Sequence, residues 1–161
     1  MSLASGDVRG LLELEVDALA VLLPERRVQP QGVAGAVDWR LGGRIARWIL
    51  ESRFVGQEGE QLLTLGGDEL GARRVFLFGL GDGRDRRAPI AALVDAGVKV
   101  LAVAPVDESR PLEDATAWVE VVAEHGRELD TVILLDSEGA LGREWAALRS
   151  RLEARGLEAE Q

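Results

Sequence analysis

The sequence predicts a single three-layer α/β/α domain with a mainly parallel or mixed central sheet. Short apolar segments alternate with amphipathic segments along most of the chain, as in proteins whose helices cover both faces of a sheet. One segment, residues 75–78, is apolar without a break, which is typical of a strand covered on both faces. The length of 161 residues suits one domain with a substantial core, and we expect frayed ends at about 1–5 and 157–161.

Proline and glycine mark where the predicted strands end. The segment 18–23 is closed by Pro24, and the segment 98–104 is closed by Pro105. A pair of glycines follows 61–65, which we interpret as an edge strand. In chain order, the predicted strands lie at 6–15, which is weakly patterned, and at 18–23, 61–65, 75–78, 98–104 and 131–135.

Apolar residues at helical spacing lie between the predicted strands and indicate amphipathic helices. One helix is expected to begin within 32–37, and another between Asp85 and Pro89, with Gly97 ending the latter. The other predicted helices cover 40–53, 113–125 and 141–154. The residues expected to face the core are Leu41, Ile45, Trp48, Ile49, Ile90, Leu93, Val94, Ala115, Trp118, Val119, Val122, Leu141, Trp145, Leu148 and Leu152.

The composition excludes several classes of function. A formal net charge of −9 disfavours nonspecific binding to nucleic acids or anionic membranes, because both need a positive protein surface. The chain has no cysteine, so neither a disulfide framework nor a thiol nucleophile is possible. Its first residues lack the features of a signal peptide, and no apolar segment approaches the roughly 20 residues that span a bilayer. We therefore expect a cytoplasmic protein without nucleic-acid or membrane partners.

Several motifs in the first half of the chain agree in order and spacing with one known family. These motifs are Asp-Ala-Leu-Ala-Val at 17–21, Leu-Gly-Gly-Arg-Ile at 41–45, Phe-Val-Gly-Gln-Glu-Gly-Glu at 54–60 and Arg-Val-Phe-Leu-Phe-Gly-Leu-Gly at 74–81. Through them the stretch 16–83 resembles the N-terminal domain of the leucyl aminopeptidase family of dizinc peptidases, whereas only the pattern of elements agrees from Asp85 onward.

That aminopeptidase domain is itself similar to macro domains, which bind ADP-ribose. Gly-Asp-Val at 6–8 resembles the opening motif of macro domains, and 32–37 looks like their first ligand-binding loop. The resemblance implies that Asp7 contacts adenine and that the amides of 32–35 lie near the diphosphate and ribose. Together with 79–83, these residues define a candidate cleft. The candidate ligand-binding residues are Asp7, Gly32, Val33, Ala34, Gly35, Gly79 and Gly81.

The sequence also departs from both relatives at the positions that carry their chemistry. Macro domains place an asparagine pair for the ribose after the second strand, where this chain has Leu-Leu-Pro-Glu at 22–25. No second phosphate loop is recognisable, since 106–111 is acidic and a poor cradle for phosphate. The motif that holds the two zinc ions of the peptidases is absent. We therefore expect no enzymatic activity, no metal and no cofactor.

Other residue types that often carry chemistry have structural interpretations here. The glycines at 79–83 are similar to a dinucleotide fingerprint, but the third glycine comes one position early, which favours a structural turn. The single histidine, His125, lies where a cation suits the end of a helix. Trp39 follows Asp38 in a connecting segment and is a candidate ligand platform or interface anchor, with packing in the core or an interface favoured.

Three arginines precede the helix after the glycine-rich turn. Arg84, Arg86 and Arg87 could bind an anion at the start of that helix, or pair as solvated charges with the neighbouring aspartates. The second interpretation is favoured.

Two functions are compatible with these observations. The first is a noncatalytic module for protein association or regulation, with itself or with a full-length aminopeptidase-like protein as partner. The alternative is binding of a small molecule, ADP-ribose-like or another nucleotide, in a degenerate macro-type cleft. DNA binding, which the resemblance to aminopeptidases would also allow, is disfavoured by the charge, and hydrolysis of ADP-ribose conjugates is disfavoured by the missing asparagine pair.

Overall fold

A computed structural model describes residues 1–25, 29–82, 85–136 and 139–160 of the chain. Within this part, six strands form one mixed sheet in the order β1-β6-β5-β2-β4-β3, and the prediction of an α/β/α fold is confirmed. All neighbouring strands pair in parallel except β3, which is antiparallel to β4. The strands are β1 Ser2–Ser5, β2 Val16–Leu23, β3 Gln61–Leu65, β4 Ala72–Gly79, β5 Val100–Val103 and β6 Thr131–Asp136.

Helices cover both faces of this sheet and enclose two hydrophobic clusters. On one face, Trp118 and Leu148 are completely buried against the strands, and on the other face Val33 and Ile45 are. In the described residues, the first face carries α4 Arg87–Asp95, α5 Pro111–His125, α6 Ala140–Arg143 and α7 Trp145–Ala154. The second face carries α1 Gly10–Glu13, α2 Gly32–Arg40 and α3 Arg44–Leu50.

The N-terminal region differs from the prediction. The prediction of a strand at 6–15 is wrong, because this segment contains α1. The carboxylate of Asp7 accepts hydrogen bonds from the amides of Arg9 and Gly10 and so favours the start of this helix. Residues 1–5, expected to be frayed, contain the edge strand β1, which is held by its parallel pairing with β6.

The C-terminal tail lies against this first strand. The amide of Glu160 donates to the carbonyl of Met1 at 2.9 Å, and the N-terminal ammonium group donates to the carbonyl of Glu158 at 2.6 Å. The fraying expected at 157–161 stays a prediction, and residue 161 lies outside the described residues.

The helix expected over 40–53 is broken. Gly42 and Gly43 both have positive φ values, 66° and 74°, which end α2 and turn the chain. The carboxylate of Asp38 then accepts hydrogen bonds from the amides of Ile45 and Ala46, at 2.7 and 3.2 Å, and so caps α3. The helix expected over 141–154 is likewise divided into α6 and α7.

The remaining elements agree with the prediction. β3 is an edge strand, and the residues of α5 expected to face the core are buried. The apolar strand β4 lies next to this edge, whereas the centre of the sheet is β2, which pairs with both β4 and β5. In the described part of the chain, no helix is long and apolar enough to cross a membrane.

Candidate functional site

A cleft of about 370 Å³ opens at the carboxyl ends of β2 and β5. In open α/β sheets this edge is where ligands commonly bind, and the volume lies within the range of small-molecule sites. The start of α2 and the loop after β5 form opposite walls. The described residues that line the cleft are Leu22, Leu23, Pro24, Gln29, Pro30, Gln31, Gly32, Ala34, Ile49, Phe54, Val55, Gly56, Pro105, Val106, Asp107 and Glu108.

The first wall is the N-terminus of α2, whose leading amides have no partner within the helix. Gln31 is extended, and Gly32 then takes a positive φ of 55° to start the helix. The amide of Val33 donates a hydrogen bond of 2.6 Å to the carboxylate of Glu108, from the opposite wall. A Cβ atom on Gly32 would lie 2.1 and 2.2 Å from the two carboxylate oxygens, so this close approach requires glycine.

Glu108 therefore holds the place that an anion would take at the start of a helix. The contact joins residues 75 positions apart in the chain. Among the described residues that line the cleft, Asp107 and Glu108 carry negative charge and none is basic.

A buried ion pair anchors the loop that carries Glu108. The Arg86 guanidinium and the Asp114 carboxylate are 2.5 Å apart, with side chains only 3% and 4% exposed. Arg86 also lies over the ring of Trp118, 5.4 Å from its centroid. Arg86 is thus a buried structural residue, and the expectation that it is a solvated charge is wrong.

Asp114 connects this ion pair to the loop. Its carboxylate accepts hydrogen bonds from the backbone amides of Val106 and Asp107. Burial raises the pKa of the Asp114 carboxyl, and the Arg86 guanidinium and these two amides oppose that rise. The ion pair on one face of the sheet therefore fixes the loop that reaches α2 on the other face.

A glycine-rich turn supports a third wall of the cleft. The amide of Gly81 donates to the carbonyl of Gly56 at 2.8 Å, and Gly79 lies so close to this segment that a Cβ atom would be 2.0 Å from the carbonyl oxygen of Gln57. The carboxylate of Glu60 accepts hydrogen bonds from the amides of 55–57. Gly79 and Gly81 thus position Gly56, which lines the cleft, without lining it themselves.

Two of the four candidate residues at 32–35 line the cleft. Gly32 and Ala34 line it, while Val33 presents its amide and buries its side chain in the core. The amide of Gly35 donates to the carbonyl of Gln31 within the first turn of α2.

Asp7 has a different role in this structure. Its carboxylate caps α1, and the amide of Gly10, more than any other group, lowers the pKa of Asp7. Asp7 is not among the residues that line the cleft. A ligand contact for Asp7 remains a prediction from the resemblance.

The other residues singled out in the sequence lie away from the cleft. Trp39 is 67% exposed, with the guanidinium of Arg40 beside its ring, 5.8 Å from the centroid. His125 is exposed at the end of α5, next to Glu124. Arg87 pairs with Asp85 at 2.9 Å, as expected. Gly83 and Arg84 lie outside the described residues.

Sequence reasoning missed Glu108, the residue that reaches across the cleft, and the wall residues Ile49 and Phe54. The acidity of 106–111 was a usable signal, because it marked this loop as unsuited to phosphate. In the described part of the chain, no group of three or more histidine, aspartate or glutamate residues is arranged to hold a metal ion.

Comparisons with known proteins bear on the fold. No protein-family model matches the sequence, and no curated protein matches it either. Among solved structures, the Oceanobacillus iheyensis macrodomain with ADP is similar with a TM-score of 0.68 and 13% identity over 94% of this chain and 89% of that one. The Trypanosoma brucei macrodomain in complex with ADP-ribose has a TM-score of 0.63 and 23% identity, over 92% and 67% of the two chains.

A tomato leucine aminopeptidase is also similar, with a TM-score of 0.59 and 18% identity. This match covers 92% of the present chain but only 35% of the aminopeptidase. At these levels of identity the likeness shows the fold alone, a three-layer α/β/α fold like that of macro domains.

Proposed function

We propose that this domain binds a small molecule of nucleotide size in the cleft between α2 and the loop 105–108, and that it does so without catalysing a reaction. The observation that carries the proposal is the cleft itself, about 370 Å³ in volume at the carboxyl ends of β2 and β5. Solved macrodomains of similar fold are complexes with ADP and with ADP-ribose, which supports a ligand of that class.

The lining suits one apolar part and one polar part of such a ligand. Val55 and Val106 line the cleft with partly exposed side chains, and they offer apolar surface on which a base or another flat ring would be shielded from water. Gln29 and Gln31 offer amide groups that can donate and accept hydrogen bonds. A noncatalytic role is supported by the absence of the asparagine pair and of the peptidase motif from the sequence.

Calorimetry with adenosine, ADP and ADP-ribose tests this proposal. We expect saturable binding, and we expect Val55→Trp to abolish it, because Val55 lines the cleft and a larger side chain would fill it. Leu50→Trp is the matched control, since Leu50 is 76% exposed and does not line the cleft. The proposal is wrong if none of the three ligands binds at millimolar concentration, or if both variants bind as the wild type does.

Association with a second copy of the chain is a further candidate function. The observation that favours it is an exposed apolar surface, since Trp39 is 67% and Leu65 is 70% exposed and both line one shallow hollow. Light scattering after size exclusion should then show a dimer that Trp39→Ser returns to monomer. A monomeric wild type at high concentration would exclude this function.

A further inference from the structure

The carboxylate of Glu108 and the amide of Val33 form a contact that belongs to the architecture of the cleft. The hydrogen bond is 2.6 Å long, and its acceptor is charged, so it belongs to the stronger class of protein hydrogen bonds. The positive end of the α2 dipole adds to the attraction. The helix start is thus already neutralised by a group from the same chain.

Shape and charge both adapt the cleft to this contact. At Gly32 the chain has no side chain to obstruct the carboxylate, and any Cβ atom there would collide with it. The loop of Glu108 is anchored through Asp114 to the buried Arg86, so the carboxylate is presented by a fixed backbone. Glu108 also lines the cleft, so its charge lies between the start of α2 and the interior of the cleft.

A phosphate bound at the start of α2 would need the position that this carboxylate holds. Two anions cannot share one amide at hydrogen-bond distance without strong repulsion, and no basic residue among the described residues of the lining offsets it. A ligand with an anionic group there must first displace Glu108, whereas a neutral ligand can occupy the rest of the cleft with the contact intact.

We propose that Glu108 is an internal competitor that opposes the binding of phosphate-bearing ligands in this cleft, an inference that rests on the proposed function. The domain as folded then favours the uncharged part of a nucleotide over its phosphates. Removal of Glu108 converts the start of α2 into a phosphate site.

Amide NMR with inorganic phosphate tests the competition without any nucleotide. In Glu108→Ala, phosphate should shift the amide signals of Gly32 and Val33 with an affinity at least about tenfold higher than in the wild type, the effect of one charge-assisted hydrogen bond. Glu108→Gln keeps a hydrogen-bond acceptor and the shape, and should show a smaller gain in the same direction. Glu153→Gln, on the exposed face of α7, controls for the change in net charge.

Calorimetry with ADP and adenosine then separates this inference from the proposed function. We expect Glu108→Ala to raise the ratio of ADP affinity to adenosine affinity at least about tenfold above that of the wild type. Equal phosphate affinity at Val33 in the wild type and in both Glu108 variants would overturn the inference, even if nucleotides bind. Failure of every protein to bind nucleotides, with the phosphate response present in the variants, would instead overturn the proposed function and support the competition.

Discussion

The carboxylate of Asp114 lies 2.5 Å from the guanidinium of Arg86, and the two side chains are 4% and 3% exposed. This pair joins the helix after the glycine-rich turn to the helix after the cleft loop, because Arg86 precedes α4 and Asp114 lies in the first turn of α5. The same carboxylate holds the amides of Val106 and Asp107. A buried ion pair thus sets the position of the loop that lines the cleft.

Loss of Asp114 should strongly destabilise the fold. Asp114→Ala leaves the Arg86 charge buried without its carboxylate, which typically costs about 3–5 kcal/mol of unfolding free energy. Urea denaturation measures this cost. Glu113→Ala removes the exposed partner of Arg110 and should cost less than about 1 kcal/mol. If Asp114→Ala also lost less than about 1 kcal/mol of unfolding free energy, the buried ion pair would not stabilise the fold as expected.

Gly32→Ala should cost more stability than the same substitution at another glycine with positive φ. Gly32 and Gly97 both have positive φ, at 55° and 70°, so each alanine variant carries a backbone penalty of about 1 kcal/mol. At Gly32 the new Cβ atom also displaces the Glu108 carboxylate, whereas nothing lies within 4 Å at Gly97.

The excess cost of Gly32→Ala should be about 1 kcal/mol, the worth of the displaced hydrogen bond, and should vanish when Glu108 is also replaced by alanine. Thermal unfolding of the single and double variants measures this coupling. Additive effects of the two substitutions would mean that Glu108 and the start of α2 do not interact in solution.

Asp38→Ala should uncap α3. The Asp38 carboxylate accepts the amides of Ile45 and Ala46, so its loss should lower the unfolding free energy by about 1–2 kcal/mol. Asp38→Asn keeps one acceptor oxygen and should recover most of this loss, which equilibrium unfolding can resolve. An alanine variant as stable as the wild type would assign the break at Gly42 and Gly43 to the glycines alone.

The stability of the fold should fall in acid partly through Asp17. The amides of Val100 and Lys99 donate to its carboxylate and hold the pKa of Asp17 below its ordinary value of 3.8. Ionised Asp17 therefore stabilises the folded state above pH 3.8, and this contribution is lost as the pH falls through the lowered pKa.

Asp17→Asn should accordingly be less stable than the wild type at pH 7, and the difference should shrink on acidification as the Asp17 carboxylate is protonated. Urea midpoints of both proteins at pH 7 and at a pH below the lowered pKa of Asp17 measure the difference in stability. A constant gap between the two proteins across the range would show that the titration of Asp17 does not contribute.

Local pattern was sufficient to predict the elements that bury a regular stripe. In α5, Ala115, Trp118 and Val122 recur at helical spacing and are buried, and β3 was recognisable as an edge strand. The pattern failed where a single side chain decides the local structure. The stripe through Leu41 and Ile45 is real, yet Asp38 and the glycine pair divide the helix that it predicts.

Only one wall of the cleft, the start of α2, could be predicted from the sequence. The glycine-containing start of α2 was visible in the sequence, and Gly32 and Ala34 do line the cleft. The opposing Glu108 was not, because its contact with Val33 spans 75 positions and depends on a loop fixed by Arg86 and Asp114. Such long-range contacts leave no periodic signal in a single sequence.

Amide NMR of the wild-type protein during titration with ADP-ribose is the most direct test of the proposed function. Binding in the cleft predicts saturable shifts concentrated at Gly32, Ala34, Val55 and Gly56, with little change at Trp39, which lies at the other end of α2 and does not line the cleft. Shifts that cluster around Trp39, or spectra that stay unchanged at millimolar ligand, would contradict the assignment of this cleft as the binding site.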